Sequence, residues 1–341
     1  MSPRPPRPRT LVARVVALAV TALVALGSGA LVASTSGSAS AAVYPKSPFA
    51  GRTLFVDPAS NAARDAAALA ANDPAASAAL AKIARHSQAD WFGDWNPVER
   101  VAADVSARVG QIAAVGAYPV VVAYAIPKRD CSSYSAGGAS SPEAYRAWIR
   151  AFKAGIGTRK AAVILEPDAL AQLDCLSAVD QQSRLGLLKD ATQVLAAGGN
   201  VAVYLDAGNA GWIPPKVMAD RLAKAGVSGA RGFSLNVSGF GWTAEQIAYG
   251  RQIAPSIGWK RFVVDTSRNG LGPAVGIDEV WCNPPGRALG AVPGAATGDA
   301  LVDAFLWVKR PGESDGTCHG GPPAGTWWPE QAVGLAQRAA W

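Results

Sequence analysis

The feature that most constrains this chain is an alternation of short, unbroken apolar runs with longer amphipathic stretches. The runs lie near residues 89–92, 118–126, 161–165, 201–205, 232–235, 261–264 and 304–308. They are rich in branched residues and show no apolar/polar alternation, which reads as parallel strands covered on both faces. Between most of them the apolar spacing becomes helical, over 98–115, 142–156, 180–197, 214–225, 243–257 and finally 329–340. Two alanine-rich helical stretches, 61–71 and 73–85, precede the alternation, and 53–56 is a candidate short strand. Strand and helix recurring every ~30 to 40 residues is the sequence form of βαβ units on a parallel sheet, so the chain is of the α/β class. The Gly- and Pro-rich stretch 269–299 has no helical period and reads as a long ordered loop. No linker, repeat or second module interrupts the pattern.

Residues 1–42 stand apart. Arg4, Arg7, Arg9 and Arg14 lead into an apolar run that ends in small residues at Ala39-Ser40-Ala41-Ala42, the layout of a secretory signal. Gly27 and Gly29 interrupt the run and no charged stop-transfer segment follows, which argues against a membrane anchor. The expectation is a cleaved leader over 1–42 and one large domain over 43–341, secreted. The whole chain has 32 basic and 25 acidic side chains, a net +7. Four of the bases belong to the leader, so the remainder carries only about +3 and gives no reason to expect nucleic acid. The four cysteines, Cys131, Cys175, Cys282 and Cys318, all follow the leader. In an exported chain they predict two disulfides, in any of three pairings.

The chemistry should sit where successive strands end. In order, those ends offer Trp91, Asp130 just past Pro127, Asp168, Asp206, Asn236, Asp265 and Lys309, with Glu313 and Asp315 beyond. A lone acid after a strand is commonly a helix cap or a turn residue. A series of them converges on one rim, where barrel enzymes place their active sites. Only His86 and His319 offer imidazole and no GxSxG elbow is present, which disfavours a serine or cysteine hydrolase. No CxxC pair exists for zinc, and Gly270-Leu271-Gly272 opens no helix that could cradle phosphate. No metal and no cofactor are expected; a carboxylate-only Mg²⁺ or Ca²⁺ site is the minor alternative. Paired carboxylates acting on a glycosidic bond need no such partners. Trp91, Trp212, Trp242 and Trp281 fall near the rim and suit the apolar faces of sugar rings, whereas Trp95, Trp148 and Trp307 read as core.

At this point the chain resembles glycoside hydrolase family 6, the family of endoglucanases and cellobiohydrolases. The segment Val122-Ala123-Tyr124-Ala125-Ile126-Pro127-Lys128-Arg129-Asp130-Cys131, continuing to Gly138, is similar to the family's first signature, and 163–171 around Glu166-Pro167-Asp168 to its second. Similar blocks follow at Tyr204-Leu205-Asp206-Ala207-Gly208 with Trp212, at Asp265-Thr266-Ser267-Arg268-Asn269-Gly270, at Glu279-Val280-Trp281-Cys282, and from Asp303 through Lys309 to Glu313 and Asp315. The resemblance implies a distorted seven-stranded parallel β/α barrel, TIM-like and single-domain, that hydrolyses β-1,4-glucan with inversion. It implies Asp168 as general acid, Asp130 as the carboxylate that supports it, Tyr124 pressing on the sugar ring, and Asp315 as candidate base. Trp91, Asp206, Trp212, Asn236, Trp281, Lys309 and Glu313 map to substrate-binding positions. It pairs Cys131 with Cys175 and Cys282 with Cys318, each contributing about 2 to 4 kcal/mol. The chain departs from the family pattern at Asn209, where a histidine is common, and at Ala136 beside Ser135, where a serine often holds the catalytic water. The short segment between Asp315 and the last helix implies an open cleft and internal cutting. Cellulose is the expected partner, and a monomer the expected form. A cellobiohydrolase, or a non-catalytic glucan-binding protein on the same scaffold, are the alternatives.

Overall fold

A computed structural model of the chain describes residues 46–341. The leader expected at 1–42 lies outside the described residues. Two helices, α1 (Asn61–Leu69) and α2 (Pro74–Ala84), are followed by seven strands: β1 (Asp90–Gly93), β2 (Val120–Tyr124), β3 (Ala161–Leu165), β4 (Val201–Asp206), β5 (Gly232–Leu235), β6 (Arg261–Asp265) and β7 (Val302–Leu306). Helices α3 (Val98–Ala114), α4 (Pro142–Ile156), α5 (Ala178–Ala196), α6 (Pro215–Lys224) and α7 (Thr243–Ile253) connect the first six strands, and α8 (Pro329–Gln337) ends the fold. The helix starts are written locally. Ser141 and Ser177 accept the Ala144 and Asp180 N–H groups, and Asp73 does the same for Ala76 before Pro74.

All strands pair in parallel and in chain order, β1 to β7, and no β7–β1 ladder closes the sheet among the described residues. The result is a curled, half-closed barrel, the class the alternation predicts. Period-2 geometry divides the strand residues between two cores. Val121, Ala123, Val163, Leu165, Val203 and Leu205 pack outward against the helices. Val120, Val122, Tyr124, Ala162, Ile164 and Tyr204 fill the barrel interior with Phe49 and Leu306. Three expectations shift. Residues 53–56 form no strand, only a bridge from Leu54 to Tyr118. The last strand begins at Val302, and Trp307 leaves the sheet to be buried with α1, α2 and α8. The helix from Thr243 tightens to 3₁₀ geometry over Ala254–Ile257, where Pro255 has no N–H for the α-helical ladder.

Candidate active site

A cleft of about 1050 Å³ lies over the carboxyl ends of the strands. It collects Tyr124, Asp130, Asp168 and Asp315 with Trp91, Trp212, Trp281, Lys309 and Glu313, residues distant in sequence but delivered to one rim. Trp91 and Tyr124 face the barrel interior from β1 and β2, with ring centroids 5.2 Å apart and edge to face. The Trp91 indole N–H donates to the Val308 carbonyl at 2.8 Å, which fixes the ring across the β1–β7 gap.

Asp168 is half-buried just beyond β3, where Pro167 ends the strand. Its backbone N–H donates to Asp206 Oδ1 at 2.9 Å, and φ of 68° turns the chain there. Burial first, then the nearby carboxylates of Asp206, Asp130 and Asp315, holds its carboxyl well above the usual carboxylate range, against the pull of Lys309. Asp130 is held in place by others: its Oδ1 accepts from Gln172 Nε2 at 2.8 Å and its Oδ2 from the Ser135 N–H at 2.7 Å. Asp315 has the opposite environment. Burial pushes its carboxyl up, but Arg268 at 2.9 Å, Lys309 at 3.4 Å and the Asn283 N–H at 3.0 Å together hold it below the ordinary value. Within one cleft, one carboxyl is thus biased toward its protonated form and another toward its ionised form.

The loop carrying Asp130 is organised by Arg129, buried under it. Its guanidinium donates to Asp94 Oδ1 at 2.6 Å, to the Tyr124 carbonyl at 2.8 Å and to the Ser135 carbonyl at 2.9 Å, and it stacks 4.3 Å from the Tyr124 ring centroid. Gly138 closes the loop at φ of 102°, where a Cβ would lie 1.9 Å from the Ile126 carbonyl oxygen. Disulfides join Cys131 to Cys175 and Cys282 to Cys318. The first bridges the loops that follow β2 and β3; the second bridges those that follow β6 and β7.

Two residues expected to bind substrate do not line the cleft. Asp206 is 1% exposed beneath Asp168, its oxygens taken by the N–H groups of Asp168 and Gly208 and by Ser234 Oγ at 2.9 Å. Burial, with repulsion from Asp265, pushes it up to about 7 against those bonds. Asn236 is fully buried, and its side chain donates to the Asp265 carbonyl and accepts from the Gly241 N–H at 3.1 Å. Both strand-end polar groups are consumed by loop backbone that would otherwise lie buried and unpaired. Trp242 also falls outside the cleft, on the far side of the β5–α7 loop beside Gly272. Trp95, expected in the core, is 55% exposed and lines the cleft, while Trp148 and Trp307 are buried. Ser135, Ala136 and Asn209 all line it as well. No local pattern gives a role to Arg129, Gln172 or Arg268, which hold the acids and their loops; Arg129 and Arg268 lie inside the family-like blocks and Gln172 directly after one.

Comparison with known proteins places this architecture. The family model "Glycosyl hydrolases family 6" matches residues 49–339. Endoglucanase A of Cellulomonas fimi is 46% identical over 289 residues, 84% of this chain and 62% of the relative, so the chain spans less than two thirds of that protein. Endoglucanase 1 of Streptomyces halstedii is 44% identical over 82% of this chain and 87% of its own length. An endoglucanase of Mycobacterium tuberculosis, solved in complex with methyl-cellobiosyl-4-deoxy-4-thio-β-D-cellobioside, superposes with a TM-score of 0.82 at 45% identity, covering 86% of this chain and 99% of that one. A family model spanning nearly all the described residues, with relatives at 44–46% identity, shows that the chain belongs to glycosyl hydrolases family 6.

Proposed function

We propose that the chain is an endo-β-1,4-glucanase, secreted after removal of residues 1–42, that hydrolyses internal bonds of cellulose with inversion at the anomeric carbon. The observation that carries this reading is the opposed state of Asp168 and Asp315 in one aromatic-lined cleft, the division of labour an inverting pair needs. The named relatives point the same way, and the tuberculosis enzyme holds a thio-linked cello-oligosaccharide. Asp168 gives its proton to the glycosidic oxygen as the bond to the anomeric carbon breaks. Water attacks that carbon from the opposite face and its proton passes to Asp315, directly or through a second water. Asp130 keeps the Asp168 proton in place by repulsion, and Tyr124 presses on the ring at the cleavage subsite. Trp91, Trp212 and Trp281 stack against glucose units while Lys309 and Glu313 bond their hydroxyls. The segment after Asp315 is short, which favours internal cutting over a roofed, end-acting tunnel.

Replacing the acid tests the assignment. On soluble cellulose Asp168→Asn should lower reducing-sugar release by about 10²- to 10⁴-fold with folding intact. Equal release by mutant and wild type sinks the assignment. The wild-type rate should fall at high pH as Asp168 loses its proton, above the usual carboxylate range, and at low pH as Asp315 gains one, below it. Release of cellobiose with no loss of viscosity would instead identify an end-acting enzyme.

A further inference from the structure

Trp212 reaches the cleft from residues 207–214, the connection between β4 and α6, which has no regular structure. Gly208 at φ of 64° and Gly211 at 87° take the left-handed region, and Pro214 and Pro215 bring no N–H to bond. The Trp212 N–H reaches only as far as the Asn209 carbonyl, at 3.3 Å, and the residue is 41% exposed. A ring half in solvent on such a segment stays fixed only if something outside the segment grips it.

Helix α7 supplies the grip. Gln246 Oε1 accepts the Ala210 N–H at 2.9 Å, and the Tyr249 hydroxyl donates to the Ile213 carbonyl at 2.8 Å. The two side chains stand three residues apart, hence on one helix face, and both are buried, at 0% and 4% exposed. Their bonds fall two residues before Trp212 and one residue after it, so they bracket the ring. The Gln246 amide nitrogen is buried without a partner among the described residues, which leaves the bond from Ala210 as the one that amide makes. Neither residue lines the cleft. The near end of the segment is fixed to the acid, because Asp206 Oδ1 accepts both the Gly208 N–H and the Asp168 N–H, each at 2.9 Å. Platform and acid therefore share one anchor, and α7 sets how the ring lies beyond it.

We infer that Gln246 and Tyr249 are positioning residues for glucan binding: from behind the cleft they hold Trp212 in place and so set the affinity for the glucose unit that stacks on it. The inference rests on the glucanase reading above. A ring already ordered gives up no conformational freedom when a sugar stacks on it. A ring released to swing must be ordered at each binding event, which weakens binding and leaves the bond-breaking step at Asp168 as it was.

The test measures kcat and KM on cellohexaose for wild type, Gln246→Leu and Tyr249→Phe, each also in a Trp212→Ala background. Loss of one hydrogen bond to the segment should raise KM by about three- to tenfold in either single variant, with kcat within about twofold. Trp212→Ala alone should raise KM at least as much. In the Trp212→Ala background the α7 substitutions should have no further effect on KM, because the ring they hold is gone. A merely structural role would act in both backgrounds alike, so equal effects overturn the inference, as do folded single variants with wild-type KM. Trp212→Ala with wild-type KM overturns it too, since no platform is then there to hold. Should Gln246→Leu fail to fold, Gln246→Met, which keeps the length of the side chain and loses the acceptor, replaces it. A wild-type chain that leaves cellohexaose intact overturns the glucanase reading and the inference with it.

Discussion

Glu166 and Asp168 leave one strand two residues apart, both in the left-handed region at φ of 51° and 68°, and the turn sends them to opposite fates. Such positions cost about 1 to 3 kcal/mol each and persist where surrounding bonds over-determine them. Glu166 points into the core, where its carboxyl accepts from the N–H groups of Ala125 and Ile126 at 3.0 Å and ties the end of β3 to the end of β2. Asp168 points to the cleft. The sequence places both at a strand end but does not say which faces the mouth, since that depends on a φ value more typical of glycine or asparagine. The same limit explains Asp206 and Asn236, correctly read as strand-end residues yet folded under the loops. Full burial pushes Glu166 from 4.5 up to about 7, against the two N–H bonds and the Tyr145 hydroxyl. Its folded pKa is raised, so between about pH 4.5 and 7 the native state holds a proton the unfolded chain has released, and the group's contribution to stability falls as pH rises through that window. Glu166→Gln has no such charge to bury. Relative to wild type, its urea stability should improve between pH 4 and pH 8 by on the order of 3 kcal/mol. Parallel pH dependence in the two proteins would show that Glu166 keeps an ordinary carboxyl.

At the scale of elements, strands were legible because a parallel strand covered on both faces leaves an unbroken branched run, as in Ala161–Leu165. Helices were legible from caps and from Pro at the first turn. Loops were not, because their course is set by long-range partners: nothing local tells Trp95 to face the cleft or Trp242 to leave it. The loop after β2 is the extreme case. Asp130, Cys131 and Ser132 are three consecutive residues at positive φ, 56°, 48° and 71°, held by Arg129, Gln172 and the bond to Cys175. The two disulfides therefore have different consequences. Cys131→Ser with Cys175→Ser should cost about 2 to 4 kcal/mol and also lower kcat, since Asp130 sits on the released loop. Cys282→Ser with Cys318→Ser should cost a similar amount and act on Asp315 through Asn283, whose N–H and side-chain oxygen both engage that residue. It should therefore move the acid limb of the rate profile. Identical kinetic effects of the two pairs would argue that the bridges serve stability alone.

For the whole molecule, the barrel is incomplete between its first and last strands. Six strand pairs are laddered, but β1 and β7 meet through an Ala89 N–H bond to the Trp307 carbonyl and through side chains. Asp90 receives Arg108 Nε at 2.8 Å from the helical side and Arg310 Nη2 at 3.0 Å from the cleft side, and Arg310 Nε also bonds the Ala89 carbonyl at 3.0 Å. Arg310 continues to Glu313 at 3.3 Å, so the cation that closes the seam also positions a carboxylate on the cleft wall. Trp91 on one side of the seam and Lys309 and Asp315 on the other are thus spaced by an ion network in place of a backbone ladder. Arg310 is about a third exposed, which discounts its pairs, so Arg310→Ala should cost about 1 to 3 kcal/mol in chemical denaturation. It should also raise KM for glucan as Trp91 and Glu313 lose their spacing. Arg108→Ala removes the other partner of Asp90 and should cost stability with KM unchanged, because it lies on the helical side. Arg100, whose pair with Asp104 is exposed, supplies the reference. If Arg310→Ala loses no more stability than Arg100→Ala and leaves KM in place, the seam is held by the packing around Trp91 and Val308 rather than by its charges.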